Sequence, residues 1–190
     1  MAPTNRSTTG TEIDARSYSQ EDRLLDGRPV LLRAIRPEDK TELLAAFHRL
    51  SPESVYLRFF QAKKELSDEE LRYLTELDFE SHVALLAIVE EGGVSRGIGV
   101  GRYIVEPETR SAEVAFTVDE THHGLGVGTL LLKHLARIAR SHGLEEFRAY
   151  VLAENRMMLE VFEHAGFPLE RRLEGNVIVA TMSLAYNRAP

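Results

Sequence analysis

The sequence predicts a single α/β domain, and three observations predict it. In Ala112–Val118, apolar Ala112, Val114, Phe116 and Val118 alternate with Glu113, Ala115 and Thr117, the period of a half-buried strand. Gly124, Gly126 and Gly128 follow, and then Leu130, Leu131, His134, Leu135, Ile138 and Ala139 recur at helical spacing as one apolar stripe. The rest of the chain interleaves strand-like and helix-like stretches without an internal repeat, in the order β-α-α-α-β-β-β-α-β-α-β-β. With 190 residues, 43% of them hydrophobic, the chain can bury one sizeable core.

Residues 1–22, rich in Ser, Thr and Gly, read as a mobile tail, and residues 23–190 as the domain. Gly27-Arg28-Pro29 turns into a first strand, Val30–Ile35. Arg36-Pro37-Glu38-Asp39 opens a helix with an early proline and acids in its first turn; Leu43, Leu44, Phe47 and Leu50 form its apolar face. Ser51-Pro52-Glu53 caps a second helix with Val55, Tyr56, Phe59 and Phe60 as its apolar set. Ser67-Asp68-Glu69-Glu70 is a capping box that opens a third, to about Leu77. Lys63-Lys64 in the loop between them reads as solvated surface.

His82–Glu90 is a strongly apolar strand, and Gly97–Val105 is the next. Gly97, Gly99 and Gly101 inside it predict close approach of another backbone. After the glycine turn, the helix stops at His142-Gly143. Glu145–Leu152 alternates again, Asn155 begins a short helix over Arg156–His164, and two strands joined at Glu174-Gly175-Asn176 complete the chain.

Composition excludes several classes. There is no cysteine, hence no disulfide, zinc–thiolate site or cysteine nucleophile, and a cytoplasmic protein is expected. A net charge of −7 argues against nucleic acid as a partner. No apolar run reaches the ~20 residues of a membrane helix, and Met1–Ser17 has no apolar signal-peptide core. His122 and His123 point different ways on extended chain and lack a third ligand at useful spacing, so no metal is expected.

A strand, a glycine turn and a helix together make an anion site. Closely spaced glycines let a backbone turn sharply and approach a ligand. The first N–H groups of a helix have no partner within it and sit at the positive end of its dipole, which suits a phosphate or pyrophosphate. A P-loop would end in Gly-Lys-Ser/Thr, whereas this turn ends Gly128-Thr129-Leu130; a dinucleotide fingerprint would read G-x-G-x-x-G early in a βαβ unit. A glycine-rich loop without a ligand is the plain alternative.

His123-Gly124-Leu125-Gly126-Val127-Gly128, after the strand AFTVDE, resembles the acetyl-CoA-binding segment of the GNAT superfamily of N-acetyltransferases, with His123 where that family usually has Gln or Arg. A second segment, Val151–Phe167, resembles the family's later one, in which an Asn opens a helix and Gly-Phe closes it. The resemblance spans roughly Val30 to Leu184. It implies the GNAT fold, a mixed central sheet with flanking helices that splays where the Glu113 strand meets the strand before Asn155. Leu32–Asp39, Leu50–Phe60 and AEVAFTV further resemble Pat-type bacterial protein lysine acetyltransferases.

The resemblance implies acetyl-CoA as co-substrate. Gly124, Leu125, Gly126, Val127, Gly128 and Thr129 would cradle its pyrophosphate, with His123 at the phosphates or in solvent. Backbone N–H groups of Phe116, Thr117 and Val118 would meet the pantetheine arm and the thioester carbonyl. Asn155 is read either as a plain helix cap or as a contact to the cofactor arm as well. Glu113, opposite Val114 and Phe116 on its strand and just before the turn, is expected as general base, its pKa raised by apolar neighbours; the alternative is a solvent-facing strand residue. Phe162 stands where many relatives carry a tyrosine acid, so the leaving thiolate must be protonated otherwise. Met157 and Met158 read as packing.

The function expected is acetyl transfer from acetyl-CoA to an amine by direct attack, the amine being a lysine side chain of a protein such as an acyl-CoA synthetase. A small-molecule amine acetyltransferase acting on a polyamine, amino acid or antibiotic is one rival, and a non-catalytic acyl-CoA-binding module is another.

Overall fold

The computed structural model describes residues 12–185. Eight strands form one sheet in the order β1-β2-β3-β4-β5-β6-β8-β7. They are β1 Ser19–Arg23, β2 Pro29–Ala34, β3 His82–Glu91, β4 Val94–Val105, β5 Ser111–Val118, β6 Glu146–Leu152, β7 Leu169–Glu174 and β8 Val177–Ser183. Five α-helices flank it: α1 Lys40–Arg49, α2 Pro52–Phe59, α3 Asp68–Thr75, α4 Val127–Ser141 and α5 Arg156–His164. Every neighbouring pair is antiparallel except β5 and β6, which are parallel. Parallel neighbours need a crossover, and α4 supplies it.

The helix signals hold at atomic detail. Ser51 Oγ accepts from Ser54 N at 3.1 Å to start α2, and Ser67 and Glu70 exchange both bonds of a capping box at α3. Pro37–Asp39 forms one turn of 3-10 helix ahead of α1. In α4, Leu131, Leu132, Leu135 and Ile138 are fully buried against the sheet, each worth about 1.5–3 kcal/mol relative to exposure. On the opposite face, α1, α2 and α3 gather Phe47, Val55, Leu66 and Leu71 into a second, smaller cluster.

Two expectations are corrected. Of the expected tail, residues 1–11 lie outside the described residues, while the remainder is fixed in the fold. Ser19–Arg23 pairs with β2, Ala15 and Tyr18 are buried, Tyr18 Oη meets His134 Nδ1 at 2.7 Å, and His142 Nε2 donates to Ile13 O at 2.8 Å. This strand is polar because it is an edge, largely exposed on both faces, where charge guards against unwanted pairing. The β4 glycines admit mainly side chains. A Cβ on Gly99 would stand 2.9 Å from Val127 Cγ1, and one on Gly101 2.9 Å from the Phe116 ring; a backbone oxygen, that of Thr117, comes within 3.2 Å of the Gly99 position. Gly97 instead faces Glu42, whose Oε1 accepts from Gly97 N at 3.0 Å.

Candidate active site

The sheet opens at Glu113. Strands β5 and β6 pair only over Ser111–Glu113 and Glu146–Arg148; beyond that, β5 stays with β4 while β6 stays with β8. Antiparallel ladders alternate which residues face the partner. Glu106 N donates to Ser111 O and Asp119 N to Ile98 O, so the odd-numbered residues of β5 bond to β4. The peptide groups of Val114, Phe116 and Val118 therefore face the opening. Thr117 is corrected here: its N–H belongs to the β4 ladder, opposite Val100.

A cleft of about 440 Å³ occupies this opening. It is lined by Glu113, Phe116, Thr117, Val118, His123, Gly124, Gly126, Val127, Gly128, Thr129 and Asn155 together. Of the expected site residues, Leu125 alone does not line it; its carbonyl accepts from Leu25 N at 3.0 Å, holding the β1–β2 turn against the glycine turn. The glycines divide the work. Gly124 and Gly126 have φ of +73° and +83°, a region side chains strain to enter. Gly126 is the cap residue of α4, leaving the N–H groups of Val127, Gly128 and Thr129 without helical partners. Gly128 also admits α5, since a Cβ there would lie 3.1 Å from Val161 Cγ2.

Glu113 is exposed at the rim of the cleft, so the apolar enclosure expected around it is not present. Arg58 of α2 lines the same cleft, and the Glu113 carboxylate favours its charge against the burial that lowers the Arg58 pKa. Sequence reasoning missed Arg58, because it sits within a helix read for its apolar stripe. It also took Phe60 for core, whereas Phe60 is 44% exposed, closes α2 at φ +57° and lines the cleft.

Asn155 caps α5, its Oδ1 accepting from Met158 N at 3.2 Å. Phe162 is buried and its ring lies 6.1 Å from that of Phe116, so no phenol stands there. Met158 packs against the core, but Met157 is 52% exposed and lines the cleft, contrary to its reading as packing. His123 Nε2 donates to Val118 O at 3.0 Å. His122 turns the other way, to Glu91 Oε1 at 3.1 Å. Among the described residues no group of His, Cys, Asp and Glu side chains is arranged to hold a metal, and no helix is long and apolar enough to cross a membrane.

An ionic network anchors the glycine turn. Asp119 accepts from Arg49 Nε at 3.1 Å, Arg96 Nη2 at 2.8 Å and Thr121 Oγ1 at 2.6 Å. Burial raises the Asp119 pKa, but the Thr121 and Arg96 bonds, followed by Arg49, outweigh it and hold the carboxyl far below the usual range. An unfolded aspartate titrates near ~3.9, so this contribution is whole above about pH 4 and is lost as pH falls below it. Urea midpoints at pH 5 and pH 3 test this. The wild-type midpoint should fall more than that of Asp119→Asn; equal falls would remove the network from the account.

A parallel-strand opening, a helix N-terminus aimed into it and a carboxylate at its rim define an acyl-CoA transferase architecture. Residues 44–167 match the acetyltransferase (GNAT) family, and the chain belongs to that family. It is 34% identical to Acetyltransferase PA5475 of Pseudomonas aeruginosa over 146 residues, covering 77% of this chain and 78% of that one. It is 32% identical to Acetyltransferase Pat of Mycolicibacterium smegmatis over 136 residues, 71% of this chain and 40% of that one. The crystal structure of the GNAT domain of S. lividans PAT superposes with a TM-score of 0.78 at 33% identity, covering 87% of this chain and 96% of that domain. The chain is thus an acetyl-CoA-dependent N-acetyltransferase of mixed α/β GNAT fold.

Proposed function

We propose that this enzyme acetylates a lysine side chain on a protein, with Glu113 as general base. The observation that carries the reading is the convergence of Glu113, the Phe116 and Val118 N–H groups that face the opening and the α4 N-terminus on one cleft. The pyrophosphate of acetyl-CoA lies on the first N–H groups of α4, and the pantetheine arm runs into the opening past Phe116 and Val118. The thioester carbonyl takes a hydrogen bond from one of those N–H groups, which stabilises the tetrahedral oxyanion.

The neutral amine attacks the carbonyl carbon and a C–N bond forms. Glu113 takes the amine's surplus proton, directly or through one water. Collapse breaks the C–S bond, and the electron pair leaves on sulfur. Phe162 has no proton to give, so the thiolate takes its proton from water or from the proton released by the amine. Asn155 has its Oδ1 engaged in the α5 cap, which leaves its amide N–H groups for the cofactor arm.

Likeness to two proteins named Pat supports the protein acceptor, and an acyl-CoA synthetase is the partner proposed. The reaction is placed in the cytoplasm, in keeping with a chain that has no cysteine. The test is acetyl-CoA turnover with a folded acyl-CoA synthetase beside free lysine, followed by mapping of the modified residue. Remote contacts position a protein-borne amine, so free lysine should be far the poorer acceptor. A free polyamine or aminoglycoside outperforming every protein tested would replace this acceptor assignment.

A further inference from the structure

A second cavity lies behind the thioester end of the cleft, between α1–α3 and the face of β4 and β5 that carries Ala115 and Thr117. Its accessible volume is about 60 Å³, room for roughly four or five water-sized groups. Leu50, Arg58, Ala115 and Thr117 line both cavities and form their common boundary. Most of its wall is apolar, from Leu43, Phe47, Leu74, Leu86 and Val100, but its charged groups are not evenly matched.

Glu42 and Asp119 are already satisfied. Glu42 takes Gly97 N–H and Arg49, and Asp119 takes Arg49 and Arg96. Arg58 and Arg102 also line the chamber. Arg102 is only 6% exposed, and its guanidinium reaches His82 Nε2 at 3.1 Å and the Leu74 carbonyl at 3.4 Å. Among the described residues, no carboxylate lies within 4 Å of either guanidinium. Burial first, and then the like charge of Arg58, push the Arg102 pKa down to about 9. Buried charges are ordinarily paired; Arg102 is buried, while Arg58 is half-buried with its guanidinium 5.1 Å from the centre of the Phe59 ring, so two cations without an ion-pair partner on the wall of a cavity beside the cleft can take an anion from the ligand.

We infer that this chamber receives the acyl chain of the donor, and that Arg58 and Arg102 on its wall bind the chain's terminal carboxylate, making short dicarboxylic acyl-CoA thioesters of the succinyl type substrates of this enzyme. The inference rests on the proposed acyl-CoA cleft. Succinyl extends acetyl by one methylene and one carboxylate, which suits an apolar chamber with two cations on its wall. Transfer follows the same path: the amine nitrogen bonds to the thioester carbon, the C–S bond breaks, CoA thiol departs with one proton, and the distal carboxylate is unchanged. The product is a succinylated amine, whose charge is inverted relative to the original ammonium.

The test is calorimetric binding of acetyl-, butyryl- and succinyl-CoA to the full chain. It needs no acceptor and so stands apart from the acceptor assignment. Butyryl-CoA matches the chain length of succinyl-CoA but lacks the charge. Succinyl-CoA should bind at least tenfold more tightly than butyryl-CoA, and Arg58→Met should abolish that ratio. Arg102→Met should do the same where circular dichroism shows it folded, and the wild-type ratio alone decides the matter where it is not. Equal or weaker binding of succinyl-CoA, in a chain that binds acetyl-CoA, overturns the inference and leaves the cleft assignment standing. Failure of all three thioesters to bind overturns both. Indifference to the donor, coupled with faster acetylation of lysines flanked by Glu than by Gln, would assign the arginines to an acceptor carboxylate instead.

Discussion

Glu113→Gln is expected to bind acetyl-CoA nearly as well as wild type and to lose kcat by roughly 100- to 10,000-fold. A lysine ammonium titrates near ~10.4, so at neutral pH little of it is nucleophilic. A positioned carboxylate removes the surplus proton as attack proceeds, and an amide of the same shape cannot. Glu113 is exposed and lies at the last residue paired between β5 and β6, so the substitution removes no core contact. The deficit should narrow as pH rises toward the lysine pKa, where free amine becomes abundant. Affinity lost along with turnover would mean that Glu113 holds the cleft together. Near-normal turnover at neutral pH would assign proton removal to another group or to solvent.

Gly126→Val and Gly128→Val should fail in different ways. Gly126 has φ +83° and caps α4, so a β-branched residue there must either strain or turn the peptide away. A left-handed conformation costs an ordinary residue about 1–2 kcal/mol, and the rearrangement would misdirect the N–H groups proposed to hold the pyrophosphate. The nearest side chain, Leu25, is 80% exposed and can move aside, so the fold should survive. Acetyl-CoA affinity should fall at least tenfold by calorimetry, with circular dichroism unchanged. Gly128 faces Val161 across the α4–α5 contact, and overpacking of this kind costs about 1–3 kcal/mol. Gly128→Val should therefore lower the urea midpoint. Unchanged affinity in Gly126→Val would remove the pyrophosphate from this turn.

Much of the fold was legible because its signals are local. Ser51, Ser67 and Asn155 cap helices through bonds spanning three residues. The stripe of α4 and the alternation of β5 repeat within a few residues, and the left-handed stops at Gly124 and Gly126 follow from the absence of a Cβ. The element order from β2 to β8 and the choice of Glu113 as candidate base came from such patterns and from the family resemblance they carry. Strand β1 was not legible. SQEDR has no apolar alternation, and it is a strand only because β2 offers it an edge.

What the sequence by itself determined is the strand–turn–helix unit and the rim carboxylate, since both depend on neighbours a few positions apart. The tertiary structure alone decided which β5 peptides face the opening, because that depends on the β4 register and on where β6 leaves β5. It alone decided that Gly128 serves a helix contact as well as the turn, since Val161 lies far along the chain. It alone placed Arg58 and Arg102 together on the wall of a largely apolar chamber. No periodicity encodes that juxtaposition: it requires a helix and a strand forty-four positions apart to meet across the same face of the sheet.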